Sequence, residues 1–265
     1  MAHPASHPEA FYAGLRVVAM DGSNFELPDE AANVEEFGYP GSRTGHAGYP
    51  QAQCAVLIEC ATHAIFGATI GAYGTEDFKL CKQLLPKLNA SMLCLADRGF
   101  RGHNRWVSAL ASGAQLLWRG STDQQLAVQT LLPDQSFLSE LVPSQGSRQE
   151  RREQAIKVRV IDYELPNAKG QMTAYQLITS LMDHKAAPAH ELARLYHERW
   201  EVEGVFDELK THLLQSRRVL RSKAPDLVRQ EFYGWVWRIT RCAGCCTKAR
   251  AATNSSMRSN RSLLI

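Results

Sequence analysis

The chain has 265 residues, 45% of them apolar and 22% charged, with 30 Lys/Arg against 27 Asp/Glu and a net charge of +3. That length holds one large domain or two small ones around an ample core. No apolar run approaches the roughly 18 residues of a membrane span. The segment Met1–Leu15 lacks both the basic start and the apolar core of a signal peptide. Seven cysteines are present, and Cys54, Cys60, Cys81 and Cys94 sit inside apolar segments, which reads as free thiols in a reducing cytoplasm. Cys242, Cys245 and Cys246 include a C-x-x-C spacing, but no second ligand pair follows, which argues against zinc.

Leu15–Met20 (LRVVAM) is a short valine-rich run followed by Asp21-Gly22-Ser23, the pattern of a buried strand ending in a turn with an aspartate at its carboxyl end. Glu26–Gly48 is polar and glycine-rich and reads as a long loop, with Arg43 and His46 able to reach a substrate. Ala52–Thr62 and Ala64–Tyr73 read as two adjacent hairpin strands. Thr75 is placed to cap a helix running to about Leu88, with Glu76 and Asp77 in its first turn.

Met92–Ala96 (MLCLA) is a second apolar strand ending in an aspartate, Asp97. A helix over Asn104–Ser112 and a strand over Ala114–Arg119 follow. Trp118 fits a buried strand position better than a base-stacking one. Two strands thus deliver an Asp at their carboxyl ends, where open α/β sheets tend to place ligands. Ser121–Asp183 changes to β-type alternation around a charged stretch, Arg148–Glu153, and reads as a mostly β insertion, a plain continuation of the sheet being the alternative.

Pro188–Leu214 reads as one helix: Pro188 suits its first turn, and Leu192, Leu195, Val202, Val205, Phe206, Leu209 and Leu213 form one apolar stripe. Beside that stripe, Tyr196, Arg199, Glu203 and Lys210 fall within about 60° of one another at about 100° per residue. Helix-spaced surface ion pairs would also explain these charges. Pro225 suits the start of a further helix, and from about Val236 the apolar periodicity is poor. From Thr211 onward eleven Lys/Arg stand against two Asp/Glu, an excess of +9 that leaves −6 for the rest. A basic end beside this helix suits a polyanion such as DNA, and a solvated basic tail is the competing reading.

The spacing Tyr-x2-Arg-x3-Glu-x6-Lys, set in YHERWEVEGVFDELK, resembles DDE transposases of the insertion sequence 4 family. Asp97-Arg98-Gly99-Phe100 resembles the family's motif around the second aspartate, and Ser23 stands where a small hydroxyl residue follows the first. The resemblance covers about residues 15–235 and implies an α/β fold: a ribonuclease-H-like catalytic core with a mostly β insertion between its last core strand and the Glu-bearing helix. Its boundaries would be 15–119 and 184–235 for the core, 120–183 for the insertion and 236–265 for an atypical basic tail. Relatives carry an N-terminal DNA-binding region and a hydrophobic helix after the core, so the sequence reads as a core truncated at its start and altered at its end.

The resemblance also implies the chemistry. Asp21, Asp97 and Glu203 would be the catalytic, metal-binding acids, and their all-oxygen donor set suits two Mg²⁺ or Mn²⁺ ions. Tyr196, Arg199 and Lys210 would contact phosphates of the transposon end. The implied partner is double-stranded DNA, both terminal repeats and target, with a homodimer on DNA left open and a cytoplasmic, nucleoid-associated location. The implied activity is metal-dependent strand cleavage and strand transfer. The alternatives are an inactive DNA-binding remnant and a metal-dependent nuclease on the same fold.

Overall fold

Strands buried on both faces read as continuous apolar runs, and Val17–Met20, Cys54–Ile58 and Met92–Ala96 are such runs, buried throughout. The computed structural model of the chain describes residues 7–42, 45–46, 48–75, 77–121, 126–166, 171–198 and 220–241. Along the chain come β1 (Phe11–Tyr12), β2 (Leu15–Glu26), α1 (Ala31–Phe37), β3 (Gly41–Ser42), β4 (Gly45–His46), β5 (Gln51–Glu59), β6 (Ile65–Ala72) and α2 (Asp77–Lys82). Then follow β7 (Met92–Ala96), α3 (His103–Leu110), β8 (Gln115–Arg119), β9 (Thr130–Leu131), β10 (Phe137–Leu141), α4 (Arg148–Glu153), β11 (Ile156–Pro166), β12 (Met172–Thr179) and α5 (Ala189–Glu198). Residues 225–241 are helical and are called α6. Among the described residues no helix is long and apolar enough to cross a membrane.

One sheet organises the molecule, with strand order β6-β5-β2-β7-β8-β12-β11-β10-β9 and β1 paired to β2. β2, β7 and β8 run parallel; β5 and β6 form the antiparallel hairpin on one flank. This is the expected ribonuclease-H-like, mixed α/β core. The β-rich stretch continues the same sheet: β12 pairs antiparallel with β8 through Leu177↔Arg119, Ile178↔Trp118 and Thr179↔Leu117. Alternation sorts the strands between two cores. Val17, Ala19, Leu93 and Leu95 face α1, α5 and α6 through Phe37, Leu192, Tyr196, Val228 and Phe232. Val18, Met20, Cys94 and Ala96 face α2, the turn that follows it and α3 through Leu80, Leu84 and Trp106.

Several local expectations change once non-local partners are present. β2 does not turn at Asp21-Gly22-Ser23, because β5 pairs with every residue from Val18 to Glu26, and a full ladder outweighs the turn tendency of Asp-Gly. The stretch after Glu26 is not one long loop: it holds α1, which buries Asn33 and Phe37, and the two-stranded β3–β4 pair. Asn33 Nδ2 donates to the Pro28 and Ser222 carbonyls at 3.2 and 3.1 Å, a non-local anchor that loop composition cannot disclose. The helix after Thr75 is shorter than expected. α2 ends at Lys82 and Leu85–Lys87 is a 3₁₀ turn, since Pro86 has no N–H to donate and would clash with the carbonyl one turn back. Trp118 is buried, edge-on to Trp106 with ring centroids 5.1 Å apart.

The β-rich stretch is tied to the start of α5 by a buried ion pair. Arg159, on β11 and fully buried, donates to Ser136 Oγ (2.7 Å), the Ala187 carbonyl (2.7 Å) and the Asp134 carboxylate. Asp134 Oδ2 in turn accepts from the Ala189 amide at 2.9 Å, satisfying an otherwise orphaned N–H in the first turn of α5. Burial alone would raise the Asp134 carboxyl; the Ser136 hydroxyl, the Ala189 amide and the Arg159 guanidinium outweigh it and hold the group below the usual carboxylate range. A depressed carboxyl contributes stability above its unfolded pKa and loses it as pH falls through the folded value.

We expect Arg159→Ala to destabilise the fold by about 3–5 kcal/mol, because it strands the largely buried Asp134 carboxylate and the Ala187 and Leu181 carbonyls. Asp134→Asn should reduce the acid sensitivity that develops below about pH 4. Denaturant melts at neutral and acid pH check both.

Candidate active site

Asp21 and Asp97 lie 76 residues apart in sequence, and the register of two parallel strands brings the residues just before them side by side. The last β2–β7 pair is Met20↔Ala96; Asp21 is the next residue within β2, and Asp97 directly follows the end of β7. Strand spacing puts their Cα atoms on the order of 5 Å apart. The alternation that sends Met20 and Ala96 to the α2–α3 side sends Asp21 and Asp97 to the other side, where α5 packs. Asp97 keeps the alternation because its backbone is extended, with φ −79° and ψ −179°. Both are partly exposed, although Met20 and Ala96 are fully buried.

Each carboxylate is oriented by a neighbouring amide. Gly22 N donates to Asp21 Oδ1 at 2.9 Å, and Gly99 N donates to Asp97 Oδ1 at 2.8 Å, so that Asp97 caps the short 3₁₀ turn Arg98–Phe100. A Cβ at position 99 would sit 3.0 Å from that same Oδ1. Glycine is therefore what lets the Asp97 side chain and the Gly99 amide meet.

Tyr196 lies on α5, 2% exposed, and its hydroxyl donates to the Ala96 carbonyl at 3.1 Å. This buried position clamps α5 to the strand residue just before Asp97, because the apolar stripe of the helix extends to include the phenol ring. Glu203, Arg199 and Lys210 lie outside the described residues, as does Arg43; His46 lies on β4, paired with Gly41. Ser23 continues β2 opposite Cys54. Among the described residues there is no group of three or more His, Cys, Asp or Glu side chains that could hold a metal ion. The two aspartates supply oxygen donors only, which fits a hard divalent cation better than zinc.

Past Asp97 the chain bends under the sheet end and lines an open cleft of about 860 Å³, walled by residues 98–105 on one side and 141–144 on the other. In the sequence, Arg98-Gly99-Phe100 stands out only as part of a motif. The signal for the cleft was there in RGFRGHNR, three arginines and a histidine within eight residues.

Tyr196→Phe should cost about 1 kcal/mol by leaving the Ala96 carbonyl without the phenol. An unchanged denaturation midpoint would mean that the clamp contributes nothing.

Residues 12–237 match the family described as transposase DDE domain. The chain is similar to the transposase InsG for insertion sequence element IS4 of Escherichia coli (strain K12), 27% identical over 246 residues that cover 86% of this chain and 51% of that protein. It thus spans about half the length of the curated relative it matches. In fold it is similar to the piggyBac transposase seen by cryo-EM in a synaptic complex with hairpin DNA, with a TM-score of 0.50 at 9% identity, over 91% of this chain and 48% of the other.

Proposed function

The chain belongs to the transposase DDE domain family, and from that premise we propose that it carries the catalytic core of an insertion-sequence transposase, acting on double-stranded DNA by metal-dependent strand cleavage and strand transfer. The observation that supports this reading is that Asp21 and Asp97 each lie one residue beyond the in-register Met20↔Ala96 pair. Glu203, seven residues beyond Tyr196 in the sequence, is the third acid of the proposal.

Asp21, Asp97 and Glu203 would hold Mg²⁺ or Mn²⁺, two ions in the full reading, and such ions when bound activate the attacking oxygen and stabilise the leaving one. The chain's own contribution is position. The Gly22 and Gly99 amides fix both Asp carboxylates before any ligand arrives, which lowers the ordering cost of assembling the site. In cleavage, water oxygen bonds to phosphorus as the P–O3′ bond breaks, leaving a 3′-hydroxyl and a 5′-phosphate. In transfer, that 3′-oxygen attacks a phosphodiester of the target, so one P–O bond replaces another. Arg199 and Lys210 are proposed to grip phosphates near the reacting bond, Arg through two parallel hydrogen bonds and Lys as a point charge. Tyr196 supports from beneath, through Ala96.

Glu203→Gln and Asp97→Asn should keep duplex binding and abolish Mn²⁺-dependent nicking of supercoiled DNA, because each removes a charged ligand at nearly constant volume. Nicking at parental rates in either variant would remove that residue from the mechanism.

A further inference from the structure

A pocket of several hundred cubic ångströms that serves a small molecule is lined mostly by apolar and aromatic side chains with a few polar anchors. The cleft beyond Asp97 has the opposite lining. Arg98 and Arg101 are exposed on its rim, and neither guanidinium has a hydrogen bond or ion pair among the described residues. Arg105 frames its floor, donating to the Gly99 carbonyl with its guanidinium 5.5 Å from the Phe78 ring centroid. Ser144 adds a hydroxyl on the opposite wall.

The two walls are held at a fixed separation. His103 Nε2 donates to the Gln154 carbonyl at 2.7 Å, fastening the first turn of α3 to the end of α4. Arg151 Nε donates to the Pro143 carbonyl at 2.8 Å, fastening α4 to the loop that forms the far wall. The acids on α4 are already engaged: Glu150 closes a capping box with Ser147, and Glu153 accepts from Gln149 at 3.0 Å. Arg148 and Arg152 remain exposed behind the far wall. A rigid, basic, hydroxyl-bearing trough, poor in apolar lining, matches a chain of phosphates.

We infer that this arginine-walled cleft between residues 98–105 and 141–144 seats the sugar-phosphate backbone of DNA on the face of the sheet opposite α5. The inference rests on the transposase reading and adds to it a path for the DNA. The chain turns directly after Asp97, whose carboxylate accepts from the Gly99 amide, and the next two residues open the cleft. A duplex reaching the carboxylates would continue over Arg98 and Arg101. These contacts carry no sequence information, so they should act alike on any duplex.

The test is a salt titration of duplex-oligonucleotide binding by the 265-residue chain, without divalent metal. It compares the parent with Arg98→Ala/Arg101→Ala and with Lys82→Ala/Lys87→Ala, an equal loss of charge at exposed lysines outside the cleft. The arginine variant should lower the magnitude of the log K against log salt slope by about 2 and weaken binding roughly tenfold at moderate salt, with an unchanged melting temperature. The lysine variant should match the parent. Equal behaviour of the two double variants would overturn the cleft and leave the carboxylate site standing. A parent chain with no duplex affinity would overturn the cleft together with the reading beneath it.

Discussion

Everything proposed for this molecule depends on the register of one parallel strand pair. β2 and β7 align Met20 with Ala96, and Asp21 and Asp97 are the residues that directly follow this pair. A slip of one residue in either strand would send one carboxylate to the opposite face, since side chains alternate with a period of two. The register is enforced by burial. Val17 and Ala19 pack with Leu93 and Leu95 in one core, Val18 and Met20 with Cys94 and Ala96 in the other, and a slip would exchange both sets at once. The site is therefore positioned by the apolar residues before it, and those residues are buried on both faces because the sheet carries helices on both.

Two further attachments bring α5 to this strand end. Tyr196 reaches the Ala96 carbonyl from the helix, and Asp134 holds the Ala189 amide at the helix start with Arg159 locked behind it. The β-rich stretch thus has a mechanical part in the fold: β12 extends the sheet from β8, and the buried arginine of β11 links that extension to the helix. A buried ion pair is weak evidence for net stability. Here its value lies in direction, because its hydrogen bonds to Ala187 and Ala189 define where α5 begins.

Strands with continuous apolar runs were readable from the sequence, and so were the two aspartates that follow them, because a doubly buried strand needs no partner to be recognised. The helix at Pro225 was readable from proline's preference for a first turn, and it continues to Arg241, past the point where apolar periodicity fades, with Ile239 buried. Features decided by distant partners were not readable. Asp21-Gly22 has the composition of a turn and becomes strand only because β5 runs beside it. Asn33 and Arg159 look like surface residues until the Ser222 and Ala187 carbonyls are placed against them. Tyr196 sits at the edge between the apolar stripe and the charged strip, and a helical wheel cannot say on which side it falls. Arg98 and Arg101 acquire meaning only when residues 141–144 close the other wall.

The proposed carboxylate site at the two strand ends would hold a divalent cation. It is tested most directly by thermal melts of the parent, Asp21→Asn and Asp97→Asn with and without Mn²⁺, in the presence of duplex DNA so that a site completed on DNA is included. Expected is a cooperative melt whose midpoint Mn²⁺ raises in the parent and leaves unmoved in both variants. A parent midpoint indifferent to Mn²⁺, or a rise of equal size in all three proteins, would contradict it.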